Sequence, residues 1–166
     1  MAACDGGPAI TPAITPGTAT HPRPVVIIAT DYTFTPAIVD LVPGETVRLE
    51  VVNGGLLPHE AVFGDPRVQD AWEVAEAPTA SAPPGPTPVV SVDPAVSAAG
   101  VRIFVASGQR SDIVWLVPGD AAAAGGWTVA CHIPGHLAAG MVVPIRFVGP
   151  GGVPLSTPFP FGSVVP

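Results

Sequence analysis

The sequence predicts an all-β domain: a Greek-key sandwich or barrel of about eight short strands, interrupted by one inserted segment. Three observations lead there. Val-rich stretches recur along the chain and are punctuated by Pro-Gly, Gly-Gly and Asn-Gly pairs, which are turn signals. Several stretches alternate apolar with polar residues, the period of a half-buried strand. Helix formers other than Ala are scarce, and Lys is absent.

Residues 1–24 are dominated by Pro, Thr, Gly and Ala and predict an extended, Pro-stiffened tether, with His21 as a solvated linker residue. Val25 to Thr30 is a continuous apolar run, read as a buried strand. Tyr32 and Phe34 alternate with Thr33 and Thr35, and after Pro36 a further strand runs from Ile38 to Val42. Pro43-Gly44-Glu45 is a turn. Thr46 to Val51 alternates as a half-buried strand and stops at Asn53-Gly54-Gly55. Leu56-Leu57-Pro58-His59-Glu60 leads into a strand beginning Ala61-Val62-Phe63. Residues 64–100 read as an insertion. Within it Arg67 to Ala77 predicts a short helix with Val68, Ala71, Trp72 and Ala75 on one side, and a Pro-rich loop follows. Strands then come at Val101 to Val105, Asp112 to Val117, Trp127 to Cys131 and Met141 to Val148. Residues 25–148 thus form the domain, and 149–166 a Pro-rich tail.

Hydrophobic residues make up 48% of the 166-residue chain, enough for one ordinary core, and charged residues only 11%. No apolar window is long enough to span a bilayer without a Pro, Gly or charge. The net charge of −7 disfavours nucleic acid and anionic membranes as partners and favours cationic ones. The chain opens Met1-Ala2-Ala3-Cys4-Asp5-Gly6-Gly7, which resembles the end of a lipoprotein signal. On that reading Cys4 carries lipid, and the protein is extracytoplasmic and held to the membrane by that lipid alone. A Cys4–Cys131 disulfide is the plainer alternative, disfavoured because Cys131 lies inside a cluster with metal-ligand spacing.

That cluster is Cys131-His132-Ile133-Pro134-Gly135-His136 through Gly140-Met141. A thiolate, imidazoles and a thioether are soft or borderline donors that select copper over magnesium or calcium. A blue-copper centre takes two imidazoles and one thiolate in a plane, with a weak axial thioether. Cys131, His136 and Met141 supply three of these with spacing C-x4-H-x4-M. The chain has four His in all. His21 lies in the tether. His132 adjoins Cys131, and neighbouring strand residues face opposite ways. His59, between Pro58 and an apolar strand, is therefore the candidate fourth ligand.

Tyr32-Thr33-Phe34-Thr35-Pro36, Pro43-Gly44-Glu45-Thr46-Val47, Leu57-Pro58-His59 and the Cys131–Met141 loop together resemble the cupredoxins, the small blue-copper proteins, over roughly residues 25–148. The ligand-loop spacing is most similar to the rusticyanin and sulfocyanin branch, and the tethered layout to the auracyanins. The resemblance implies one type 1 copper held by His59, Cys131, His136 and Met141, and electron carriage rather than catalysis. A copper-handling role in resistance or delivery is the alternative. Cys-His-x3-His also resembles the last domain of multicopper oxidases, but four His are too few for their cluster, and Ala130 stands where the pattern needs a His. His132 then reads as a supporting or surface residue, with a weak extra metal site as the lesser alternative.

Further expectations follow. Glu60 should point to solvent. Asn53, or the backbone just after His59, should donate to the Cys131 sulfur. His136 should be the electron exit, ringed by apolar residues including Leu56 and Leu57. Asp65, Asp70, Glu73 and Glu76 either steer a basic redox partner or form a solvated face. A cytochrome or terminal oxidase is the expected partner of a monomeric carrier.

Overall fold

The computed structural model describes residues 13–81, 89–149 and 152–155. The expected lipid site at Cys4 and most of the Pro-rich tail lie outside these residues.

Among the described residues, nine strands form two sheets. The first has the order β2-β1-β4-β7, from β1 (Arg23–Thr30), β2 (Thr33–Thr35), β4 (Thr46–Asn53) and β7 (Arg110–Leu116). The second has the order β3-β9-β8-β5-β6, from β3 (Val39–Leu41), β5 (His59–Gly64), β6 (Val101–Val105), β8 (Thr128–Ala130) and β9 (Val142–Phe147). β1–β4 and β3–β9 pair in parallel and the other ladders are antiparallel. The all-β sandwich read from the sequence is what the chain builds. The core between the sheets is made of Ile27, Leu41, Val47, Leu49, Val51, Phe63, Val129, Ile145 and Phe147 among others, all essentially without solvent contact.

The apolar run at the start behaves differently from the reading above. Val25, Ile27 and Ala29 are buried, whereas Val26 and Ile28 face solvent. β1 is a half-buried strand whose outer positions are also β-branched, so composition hid the two-residue period. The tether is also shorter than expected. β1 begins at Arg23, and the chain docks before it. Gly17 N–H donates to the buried Glu45 carboxylate, and Thr46 N–H donates to Gly17 O at 3.0 Å. A Cβ on Gly17 would stand 2.1 Å from Thr46 O, so only glycine permits this approach. His21 is exposed, as expected.

The inserted segment forms α1 (Pro66–Glu76), close to the predicted helix, and then a 3-10 turn at Ala77–Ser81. Asp65 caps α1 by accepting from Val68 N–H at 3.0 Å, and Pro66 stands in the first turn. Val68, Trp72 and Glu76 recur at four-residue spacing on its buried side. Val68 and Trp72 close over Val62 on the outer face of the second sheet. A second helix, α2 (Pro94–Ala99), capped by Asp93, was not expected, since six residues are too few to show a period. A four-residue α3 (Ala121–Ala124) occupies the loop of small residues. No helix among the described residues is long and apolar enough to cross a membrane.

Candidate metal centre

Three strand ends bring the site together. β5 opens at His59. β8 ends at Ala130, so Cys131 is the first residue of the loop to β9. β5 and β8 pair antiparallel with Val62 opposite Ala130, which sets the start of β5 beside Cys131. The ligand loop is closed on itself by backbone bonds. Cys131 N–H donates to Met141 O at 3.1 Å, Met141 N–H to His136 O at 3.0 Å, and His136 N–H to Ile133 O at 3.0 Å. Gly135 and Gly140 take φ of 89° and 93°, a left-handed conformation that glycine adopts without strain.

His59, Cys131 and His136 converge, with one donor atom from each all within 4.8 Å of one another. His59 Nδ1 lies 3.2 Å from His136 Nδ1, and Cys131 Sγ lies 3.3 Å from the same atom. Two imidazole nitrogens and a sulfur aimed at one point is the arrangement a metal ion would satisfy. His59 and Cys131 are wholly buried, and His136 is 5% exposed. The exit edge expected at His136 is thus only a sliver. Met141 is fully buried, and the backbone bonds above fix it to both Cys131 and His136.

The groups around the donors explain their protonation. Burial pushes the Cys131 thiol up to about 12. Backbone N–H groups of Glu60 and Ile133 pull the other way, and the Glu60 and Glu76 charges add to the rise. The thiol therefore stays protonated until a cation takes the proton's place. Burial lowers both His59 and His136 below the ordinary imidazole value, which keeps the rings neutral and able to donate. Glu60 N–H approaches Cys131 Sγ at 3.5 Å, the sulfur contact expected from the backbone after His59. Asn53 does not reach the sulfur. Its Nδ2 donates to Leu57 O at 2.7 Å and Val105 O at 3.1 Å, and its Oδ1 accepts from Gly55 N–H. It holds the loop that delivers His59.

Glu60 overturns a second expectation. It is fully buried, not solvent-facing. Its carboxylate accepts from His132 N–H at 3.0 Å and pairs with Arg102, which also binds Glu76 at 2.8 Å and lies over the Trp72 ring. Burial nevertheless raises Glu60 to about 7, against the pull of Arg102. His132 does face away from the donors. Its Nδ1 lies 2.8 Å from Glu73 and its Nε2 2.6 Å from Gln69 Oε1, so it ties the ligand loop to α1. It is a buried supporting residue. The acidic segment is accordingly mostly engaged within the molecule. Asp65 caps α1, Glu73 holds His132, and Glu76 holds Arg102.

Asp31 carries a role that the sequence reading missed. Its Oδ1 accepts from Leu56 N–H at 3.0 Å and stands 3.5 Å from His59 Nε2. That distance is long for a hydrogen bond, and Nε2 makes no hydrogen bond to any other group. Beside Asp31, Tyr32 packs edge-on against the His136 ring at 5.2 Å.

Solved structures with this architecture include the auracyanins. Auracyanin B superposes with a TM-score of 0.55 at 21% identity, covering 84% of this chain and 96% of its own. Auracyanin A, a "blue" copper protein from Chloroflexus aurantiacus, does so with 0.53 at 17%, covering 75% and 98%. The chain has the cupredoxin fold. Reduced auracyanin from Roseiflexus castenholzii extends the likeness, with 0.54 at 17% identity over 80% of this chain and the whole of that one. By sequence, the chain is 35% identical over 117 residues to the copper-resistant cuproprotein CopI of Rubrivivax gelatinosus, a stretch covering 70% of this chain. The matched stretch spans 61% of that relative's length. No family model matches the chain. On the cupredoxin fold, a buried His-Cys-His cluster with a Met closing the loop has the donor chemistry of a type 1 copper site.

Proposed function

We propose that the chain holds one copper ion through His59, Cys131, His136 and Met141, and that it carries electrons. The observation that supports this most is the buried convergence of His59, Cys131 and His136. When bound, copper supplies a one-electron couple between Cu(I) and Cu(II). The protein's contribution is a constrained cage. Backbone bonds fix the loop, so the donors need little rearrangement between the two states. Burial excludes water from three donors, and the Glu60 N–H facing Cys131 Sγ tempers the thiolate.

The route in and out is the His136 edge. Tyr32 packs against that ring, and Asp31 joins the same corner to Leu56, which is 85% exposed. An apolar surface of this kind suits the brief, small contacts of redox partners. A cytochrome or a terminal oxidase is the partner this reading calls for. The role is that of a carrier, not an enzyme. In this reading the protein acts outside the cytoplasm, an expectation supported only by the lipoprotein-like Ala2-Ala3-Cys4 motif.

Copper resistance is the second reading, favoured by the 35% identity to a protein named for it. The two separate cleanly. Stopped-flow mixing of the reduced copper protein with a small oxidised cytochrome should give rapid single-electron exchange, slowed by Leu56→Asp. Exchange too slow to matter, together with copper tolerance conferred on a sensitive host and lost in Cys131→Ser, would favour resistance.

A further inference from the structure

We infer that Asp31 is a positioning residue for the metal centre: its carboxylate orients His59 through Nε2 and lends it negative charge. The inference rests on the copper-site reading above and concerns a residue outside its ligand set.

The geometry starts at the turn between β1 and β2. Asp31 and Tyr32 are its two residues, and they face the two imidazoles: Asp31 meets His59, and Tyr32 meets His136. Tyr32 takes φ of 66°, uncommon for any residue but Gly and costly for a bulky one. Such a conformation persists only where its surroundings hold it. The Thr30 and Thr33 hydroxyls meet at 2.6 Å across the turn. On the other side, the loop before His59 sits on the Asp31 carboxylate. Leu56 N–H and Leu57 N–H point at Oδ1 from 3.0 and 3.4 Å, and a Cβ on Gly55 would fall 2.4 Å from the same oxygen. The carboxylate is thus placed by the loop that delivers the ligand.

His59 defines what that placement does. Its Nδ1 faces His136 Nδ1 and the Cys131 side of the cluster. A neutral imidazole that donates through Nδ1 carries its proton on Nε2. That nitrogen is buried without a hydrogen-bond partner, and it faces the Asp31 carboxylate, with Oδ1 at 3.5 Å. A carboxylate facing the outer N–H of a ligating His fixes the tautomer and raises the ring's basicity. Its charge favours the more positive oxidation state of an ion bound on the far side.

The test is Asp31→Asn in the full chain, which keeps an oxygen acceptor for Leu56 and Leu57 and removes the charge. Two readouts are taken. In the metal-free protein above pH 8, nitrogen NMR of the His59 ring should show one dominant tautomer protonated at Nε2 in the wild type and a mixture in the variant. In the copper-loaded protein the reduction potential should rise, equivalent to a fall of about two- to threefold in the Cu(II)-to-Cu(I) affinity ratio, the scale of one unit charge acting across an imidazole ring in watery surroundings. Asp31→Glu should restore both in part, and Asp31→Ser, also uncharged, should match Asn and stands in for it should Asn not fold. A variant with unchanged tautomer and potential, in a protein whose copper band is intact, overturns the role of Asp31 and leaves the copper site standing. A wild type that binds no copper in a thiolate site overturns the reading beneath it.

Discussion

Arg102→Met would remove the cation shared by two buried carboxylates, Glu60 and Glu76. Arg102 is about one-fifth exposed at its side chain, whereas Glu60 has no solvent contact and Glu76 almost none. Met fills similar space, so the change is chiefly one of charge. Glu60, left without its partner, has one escape, protonation, and that escape limits its share of the loss. Burial already raises Glu60 to about 7, so at pH 7.5 it can take up a proton for under about 1 kcal/mol. Glu76, with a side chain 5% exposed, loses the same partner and stays buried. The guanidinium stacked over Trp72 at 4.8 Å contributes about 0.5–1 kcal/mol more. The expected loss is about 3–5 kcal/mol at pH 7.5, in the range for breaking a buried pair from one side. At pH 5 Glu60, raised to about 7, is already protonated in the wild type, so its pairing with Arg102 no longer contributes and the loss should be smaller. Urea denaturation of the metal-free, reduced protein at the two pH values measures it. Adding Glu76→Gln to the variant should recover most of the loss at pH 7.5. A loss under about 1 kcal/mol, or an equal loss at both pH values, would refute the view that Arg102 neutralises buried charge.

Other expectations concern the thiol and the docked segment. Burial raises the folded Cys131 thiol to about 12 from an ordinary 9.0, so its contribution to stability is present below pH 9 and lost as pH rises towards 12. Denaturation of the metal-free protein between pH 8 and 11 should show this fall, and the metal-loaded form, with its thiolate already formed, should not. Gly17→Ala should cost about 1–2 kcal/mol, two hydrogen bonds' worth, because a Cβ there collides with Thr46 O and Arg23 N. Faster amide exchange at Thr46, with an unchanged metal site, is the accompanying signature.

Much of the metal cluster was legible because its spacing is local. Cys131, His136 and Met141 lie on one loop whose ends pair within the same sheet, and His59 is singled out by the scarcity of His. The orientation of His132 followed from strand alternation, which also survives without tertiary information. What escaped the sequence depends on partners far along the chain. A carboxylate at Glu60 reads as solvent-facing until Arg102, 42 residues on, is seen beside it. Asp31 is an ordinary turn residue until the loop at Leu56 and Leu57 folds onto it. Asn53 was one of two groups expected to donate to the sulfur, yet its amide is consumed by the Leu57 and Val105 carbonyls. The first strand failed for a different reason: β-branched residues on its exposed face erased the polar half of the pattern.

The most direct test of the copper site is the visible and EPR spectrum of the copper-loaded protein beside Cys131→Ser. One copper per chain, an intense thiolate-to-copper band and narrow copper hyperfine splitting in the wild type, all lost in the variant, are the expected result. A colourless wild type that takes up only Cu(I), or a band that survives in Cys131→Ser, would contradict it.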